Sequence, residues 1–296
     1  MSAITSPAGI TLEYDTFGSS SDPAVLLVMG FTAQMTGWYD AYCQRIADAG
    51  RFVIRFDNRD CGLSTKFDGQ IPDMSIVLPA MTSPSVEAAA KVRAIALYTL
   101  SDMSDDAFSV LDGLGIQQAH IVGASMGGFI VQTMAIEHPE RVLSLTSIMS
   151  TTGEPEFGTS TPEAQAALLT PKPTDRDGYI EESKSNLVFM SKKYADLDKV
   201  RERAALAYDR SFYPEGAYRQ MAAIIASGPR NEGLAKLTVP ALVIHGLDDT
   251  LIQPSGGERT AELIPDSRLV LVEDMGHDQP EPLWPLICGE IIKHTA

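Results

Sequence analysis

Short, mostly apolar runs recur along the chain, the first of them, Ala24 to Met29, continuously apolar. Ala24 to Met29, Phe52 to Phe56, Ala119 to Val122, Val142 to Met149, Leu242 to Ile244 and Leu269 to Val272 all have strand length. Runs of this kind belong to strands buried on both faces, as in a parallel sheet. Ile10 to Asp15 alternates apolar with polar residues instead, which predicts a half-exposed edge strand ending at Gly18. The intervening segments read as helices. One spans Tyr39 to Asp48 and is closed by Gly50; a second, Ala-rich, spans Val86 to Leu100. A third, from about Asp105 to Leu114, has Ser101 or Ser104 as its cap and Gly115 as its end. Phe129 to Ala135 opens another, stopped by Pro139, and Gly256 to Leu263 and Leu283 to His294 complete the set. Alternating strands and helices predict right-handed parallel crossovers: an α/β protein with a mostly parallel central sheet flanked by helices.

Two stretches depart from this rhythm. Lys66 to Pro84, rich in Pro, Asp, Met and Ser, reads as an excursion from the core. From Thr151 to Lys236 strand-like runs cease, and prolines at 155, 162, 171 and 173 introduce a polar, helix-prone segment. The expected organisation is a core domain formed by residues 1–150 and 237–296, with residues 151–236 inserted as a helical cap.

The sharpest signal is Gly123-Ala124-Ser125-Met126-Gly127-Gly128, with a buried strand leading in and an apolar helix leading out. A serine on so tight a strand-to-helix turn occupies strained backbone angles, and glycines two residues either side relieve the crowding. The hydroxyl is lifted clear of the sheet, while the Met126 N–H and the positive end of the helix face any oxyanion formed there. A serine hydroxyl needs a base, and imidazole titrates in the useful range. Of five histidines, His120 lies in a strand, His138 precedes a helix-stopping proline and His294 is near the C-terminus. His245 ends a buried strand, where packing or hydrogen bonding is its expected role. His277 lies in a loop after the last strand, where open parallel sheets place their sites, and is the candidate base. The acid that orients it is sought in Gly246-Leu247-Asp248-Asp249, past the preceding strand. Adjacent side chains diverge, so one carboxylate faces His277; Asp249 is favoured, with Asp248 as the alternative. The second oxyanion donor belongs to the loop after Met29, where the Phe31 N–H is the candidate.

Composition narrows the partners. A formal charge of −16 and a pI near 4.6 argue against nucleic acid and anionic membrane surfaces. The segment 151–236 holds twelve Lys and Arg against thirteen Asp and Glu, so the acidity belongs to the rest of the chain, and neutral substrates are expected over anionic ones. Three cysteines, Cys43, Cys61 and Cys288, follow no metal or redox spacing, which with the lack of a visible secretory signal predicts a cytoplasmic protein. No apolar run is long enough to span a bilayer, so no stable membrane insertion is expected.

Together these residues resemble the α/β-hydrolase superfamily. The resemblance rests on Gly123-x-Ser125-x-Gly127, His245-Gly246-x-x-Asp249, Gly276-His277-Asp278-x-Pro280 and Asp57-x-Arg59-x-x-Gly62-x-Ser64. More narrowly the chain resembles the branch of aclacinomycin methylesterase and the mycobacterial LipG-type esterases. The shared features of that branch are Asp57 to Asp60, Lys66 to Gly69 and Tyr208 to Gly216. The superfamily implies Ser125 as nucleophile, Asp249 as acid, His277 as base, and Phe31 and Met126 as oxyanion donors. Two positions depart from its pattern: Met29 stands where histidine is usual, and Asp60 where many relatives have glycine.

The implied activity is hydrolysis of small-molecule carboxylic esters through an acyl-enzyme, with no metal or organic cofactor. Lactonase, carbon–carbon hydrolase, perhydrolase and acyltransferase chemistry use the same serine triad, and a non-catalytic receptor on the same fold is the alternative from outside enzymology. Haloalkane dehalogenases and epoxide hydrolases need an aspartate nucleophile, and Ser125 counts against both.

Overall fold

The computed structural model describes residues 2–296. Its strands are β1 (Ser2–Thr5), β2 (Thr11–Phe17), β3 (Ala24–Val28), β4 (Phe52–Phe56), β5 (Ala119–Ala124), β6 (Val142–Ile148), β7 (Ala241–Gly246) and β8 (Arg268–Val272). They form one sheet in the order β1-β2-β4-β3-β5-β6-β7-β8, in which β2 runs antiparallel to both its neighbours, β1 and β4, and all other pairs are parallel. The order reverses between β3 and β5, so the loops leaving their carboxyl ends diverge over a crevice, where sheets of this kind bind ligands. Val28 lies beside Gly123, and Gly246 beside Val272, which brings four strand ends to one edge.

The helices before β6 are α1 (Asp40–Ala47), α2 (Met74–Thr82), α3 (Val86–Arg93), α4 (Leu100–Gly113) and α5 (Met126–Glu137). Between β6 and β7 come α6 (Pro162–Leu169), α7 (Arg176–Glu182), α8 (Leu197–Ser211), α9 (Gly216–Ser227) and α10 (Asn231–Leu234); α11 (Ser255–Leu263) and α12 (Trp284–His294) follow. The apolar runs of β3 to β7 are explained by cover on both faces, whereas β8, at the end of the sheet, is only half-buried and exposes Leu271. Leu26, Ile54 and Ile121 pack with Met103 and Phe108 of α4 and Ile130 of α5. The alternate residues Val25, Leu27, Val53 and Val122 pack with Tyr42 and Ile46 of α1 and Ile287 and Ile291 of α12.

Some local expectations are corrected. One edge of the sheet is β1, four residues too short to register as a pattern, so β2 is a second strand rather than an edge; β8 is the other edge. The Ala-rich helix stops at Arg93, and the next begins at Leu100, capped by Thr99 rather than by Ser101 or Ser104. Thr99 and Asp102 form a reciprocal capping box that satisfies two otherwise orphaned amides. The excursion after Lys66 contains α2, which Asp73 caps and which tolerates Pro79 in its interior.

No strand occurs between β6 and β7 among the described residues. The helices there pack in two ways. Tyr179 of α7, Tyr208 of α8 and Phe212 form an aromatic cluster of their own, Tyr208 stacking on Phe212 at 4.5 Å. The helix α9 instead lies on α2 and α3, where Met221, Ala222 and Ala226 meet Val77, Ala80 and Val92, and its Ala223 joins the main core.

One ion pair fastens α9 to the turn after β4. Asp60, at φ 62°, receives both Nε and Nη2 of Arg219 at 2.8 and 2.9 Å, and the Tyr98 hydroxyl at 2.7 Å; both charged side chains are fully buried. This accounts for the departure from glycine: aspartate is among the few residues that tolerate a left-handed backbone, and here its carboxylate has a cation to meet. Asp57 and Arg59 of the same turn are also structural. Asp57 accepts from the Met35 and Leu63 amides and pairs with Arg210, while Arg59 is held bidentately by Asp106.

Candidate active site

Ser125 lies between β5 and α5 with φ 56° and ψ −122°, a conformation that costs a non-glycine residue about 1–3 kcal/mol. The neighbours hold it there. Its N–H donates to Ile148 O at 2.9 Å, and its carbonyl accepts from the Gly128 N–H and from Ser150 Oγ. The flanking glycines are steric necessities: a Cβ on Gly123 would lie 2.1 Å from Gly127 O, and one on Gly127 would lie 2.0 Å from Val28 O.

The loop after β8 delivers His277 to this serine. Its Nδ1 lies 2.7 Å from Asp249 Oδ2 and its Nε2 lies 2.9 Å from Ser125 Oγ. A carboxylate only accepts, so Nδ1 carries the proton and Nε2 is left to accept from the serine hydroxyl. The second carboxylate oxygen of Asp249 accepts from the Leu251 and Ile252 amides, both at 2.9 Å, which fixes the side chain in the turn after β7. His245 adds a further contact. Its Nε2 donates to Ile252 O at 2.7 Å and lies 3.5 Å from Asp249 Oδ2. Asp248 takes no part in this chain of contacts; its amide donates to Met275 O.

Burial disfavours the Asp249 charge, but His277, first by its charge and then, with His245, by hydrogen bonding, more than offsets this and holds the carboxyl down to about 2. The linkage follows directly. With the folded pKa below the unfolded one, Asp249 contributes stability above about pH 4, and that contribution is lost as pH falls towards 2. The stability advantage of the native chain over Asp249→Asn should therefore shrink by about 1 kcal/mol between pH 5 and pH 3. Urea unfolding of both proteins across that range measures it; a constant difference would contradict the assigned environment.

The loop after β3 approaches Ser125 from the other side. A Cβ on Gly30 would lie 2.9 Å from Ser125 Cβ, so only glycine permits this proximity. The Phe31 and Met126 amides make no hydrogen bond to another group among the described residues, and Met126 opens α5, where the helix dipole favours an anion. In place of a histidine, Met29 packs on Gly37, and its carbonyl is held by Asn58 Nδ2 at 2.9 Å.

The remaining histidines lie elsewhere. His120 bonds Ser144 within the sheet, and burial lowers it to about 4; His294 bonds Leu145 O, and His138 lies against Phe108. The helical segment between β6 and β7 reaches the site through Val188 to Ser191. The His277 amide donates to Phe189 O at 2.6 Å, the Ser191 amide to Asp278 Oδ1 at 2.8 Å, and Thr250 Oγ1 to Val188 O at 3.0 Å. The Phe189 ring lies edge-on to the imidazole at 6.2 Å. Gly276 permits the contact, since a Cβ there would lie 2.4 Å from Met190 C.

The sheet order, the strained serine and the His277–Asp249 pair belong to one class of fold. The chain is a member of the alpha/beta hydrolase fold family, whose model matches residues 23–281. It is similar to the rhodomycin D methylesterase DauP of Streptomyces sp. (strain C5), with 29% identity covering 95% of this chain and 94% of that protein. In fold it is similar to the meta-cleavage product hydrolase CumD of Pseudomonas fluorescens, with a TM-score of 0.74 at 20% identity over 99% of this chain and 97% of that one. The enol-lactonase of Burkholderia xenovorans has a TM-score of 0.72 at 19% identity over 99% of both chains. At those identities the two structures speak for the fold alone.

Proposed function

We propose that the chain is a serine hydrolase that cleaves neutral small-molecule carboxylic esters through an acyl-enzyme. The observation that carries this reading is the unbroken hydrogen-bonded series from Ser125 Oγ through His277 to the buried Asp249 carboxylate. In this mechanism Oγ attacks the ester carbonyl as its proton passes to His277 Nε2, and Asp249 stabilises the resulting imidazolium. The Phe31 and Met126 amides receive the tetrahedral oxyanion. His277 then protonates the leaving alcohol, and a water deprotonated by the same nitrogen attacks the acyl carbon to release the acid and regenerate the serine.

Residues 151–236 serve as the cap on a core of residues 1–150 and 237–296. The contacts of Val188 to Ser191 with the loops of Asp249 and His277 support that role, and Phe189 is the aromatic side chain best placed to touch substrate. Tyr208 and Phe212 are engaged with each other inside the segment. The similarity to a methylesterase favours methyl esters of bulky acids as the first substrates to try. The three buried free cysteines fit a reducing, cytoplasmic setting, and no described helix is long and apolar enough to cross a membrane.

Initial rates on a panel of p-nitrophenyl esters of graded chain length, a polyketide methyl ester, an enol lactone and a vinylogous diketone test the assignment. Ester turnover should dominate, and a neutral dicarboxylate diester should outrun its anionic half-ester. Faster cleavage of the lactone, the diketone or the half-ester would contradict it.

A further inference from the structure

The carboxylate that pairs with His277 has a second imidazole beside it. His245, in β7, is fully buried; its Nε2 donates to Ile252 O at 2.7 Å and lies 3.5 Å from Asp249 Oδ2, the oxygen that meets His277 Nδ1 at 2.7 Å. A carbonyl only accepts, so Nε2 carries the hydrogen. Nδ1 has no partner among the described residues and is pressed on the first turn of α11, where a Cβ on Gly257 would lie 2.4 Å from it. The positive end of that helix disfavours a second proton, which leaves a neutral ring with the positive end of its N–H beside the carboxylate. The other oxygen, Oδ1, is held independently by the Leu251 and Ile252 amides.

Each donor beside a carboxylate stabilises its charged form and makes it a weaker partner for any other proton. Oδ2 therefore supports an imidazolium at position 277 less strongly than it would without His245. Few other charges bear on the pair. Asp248 adjoins Asp249 and Asp278 adjoins His277 in sequence, the latter accepting the Ser191 amide at 2.8 Å. Residues 30–34, the first turn of α5 and the segment Val188 to Ser191 bring no ionisable side chain, and Lys193 is paired with Asp274. On α11, Glu258 is exposed and Arg259 is turned to Glu154 and Glu262. We infer that His245 is a positioning residue for the proposed base: by sharing the Asp249 carboxylate with His277 it limits how strongly that carboxylate holds the imidazolium, and so keeps His277 free of its second proton to lower pH. The inference rests on the hydrolase reading above and deepens it.

The test compares His245→Leu, which removes the donor, with His245→Gln, whose side-chain amide takes the place of the Nε2–H. For a neutral ester, kcat/KM is followed against pH and expressed per serine titrated with a fluorophosphonate, so that unfolded protein does not count. The acid limb of that profile reports the base of the free enzyme. In His245→Leu its midpoint should rise by about 0.5 to 1 pH unit, so that well below it the variant turns over about 3- to 10-fold more slowly than the native chain. His245→Gln should keep the native midpoint. A merely structural role would lower Tm and the titratable fraction but leave the His245→Leu midpoint within about 0.2 pH unit of the native one; that result overturns the inference, as does a midpoint displaced downwards. Should His245→Leu not fold, nuclear magnetic resonance of the native protein carrying nitrogen-labelled histidine decides. The Nε2–H resonance of His245 should move at the pH at which His277 titrates, and a resonance indifferent to that titration overturns the inference. Full turnover in Ser125→Ala would instead overturn the hydrolase reading itself, and this inference with it.

Discussion

Replacing Ser125 with alanine is expected to lower ester turnover on the order of 10⁴- to 10⁶-fold while leaving the fold intact. The magnitude follows from the role: without Oγ no acyl-enzyme forms, and what remains is the stabilisation that amide donors and binding provide to attack by water. The variant should also be slightly more stable than the native chain. Alanine lacks the hydroxyl that Ser125 holds against His277, but it keeps the same strained φ of 56°, so any gain is small. His277→Ala should lose a comparable factor, and the double variant should lose little more than either single one, because the two groups act as a unit. Steady-state rates on a p-nitrophenyl ester, together with thermal unfolding, measure these effects. Additive losses in the double variant would contradict a shared proton-transfer step.

The second large effect concerns stability. Arg219→Met should destabilise the chain by about 3–5 kcal/mol, because it leaves the Asp60 carboxylate buried without its cation. Truncating one partner of a buried pair costs far more than the pair contributes over an apolar replacement, so Asp60→Gly combined with Arg219→Met should recover most of the loss. Glycine also suits φ 62° at this position, and the remaining deficit should come from the groups left without their Asp60 or Arg219 partners: the Tyr98 hydroxyl, the Phe67 amide, Gln70 O and the Tyr213 hydroxyl. Urea unfolding of the two single variants and the double variant gives the cycle. A single variant within about 1 kcal/mol of the native chain would show that the pair is not held in the dry environment described.

The legible parts of the fold are those whose physics is local. Five of the six apolar strand runs appear in order because each is covered on both faces, the sixth, in β8, being a partly exposed edge, and Ser125 stands out because its turn demands glycine at 123 and 127. The start of α4 was open to reading but obscured: Thr99-x-x-Asp102 is a capping box, and two later serines compete with it on composition alone. β1 is invisible because four residues carry no period. The choice between Asp248 and Asp249 turns on which carboxylate a tight loop directs inward, a matter of backbone geometry rather than residue type. Non-local pairings leave still less trace. Nothing in the neighbourhood of Gln220 marks it as the partner of an amide 188 positions earlier, and nothing near Asp60 announces Arg219. The unusual residues at 29 and 60 were nevertheless informative, since each departure from the family pattern coincides with a place where α9 or the turn after β4 supplies a compensating contact.

The central claim is that the Ser125 hydroxyl, activated by His277, takes up the acyl group. Mixing the protein with a short-chain p-nitrophenyl ester, quenching in acid within the first turnover and mapping the mass of its peptides reads this directly. An increment equal to the acyl group on the peptide containing Ser125, absent in His277→Ala, is the predicted result. An acyl group carried elsewhere, or p-nitrophenol released in stoichiometric amount with no adduct at any time, would contradict it.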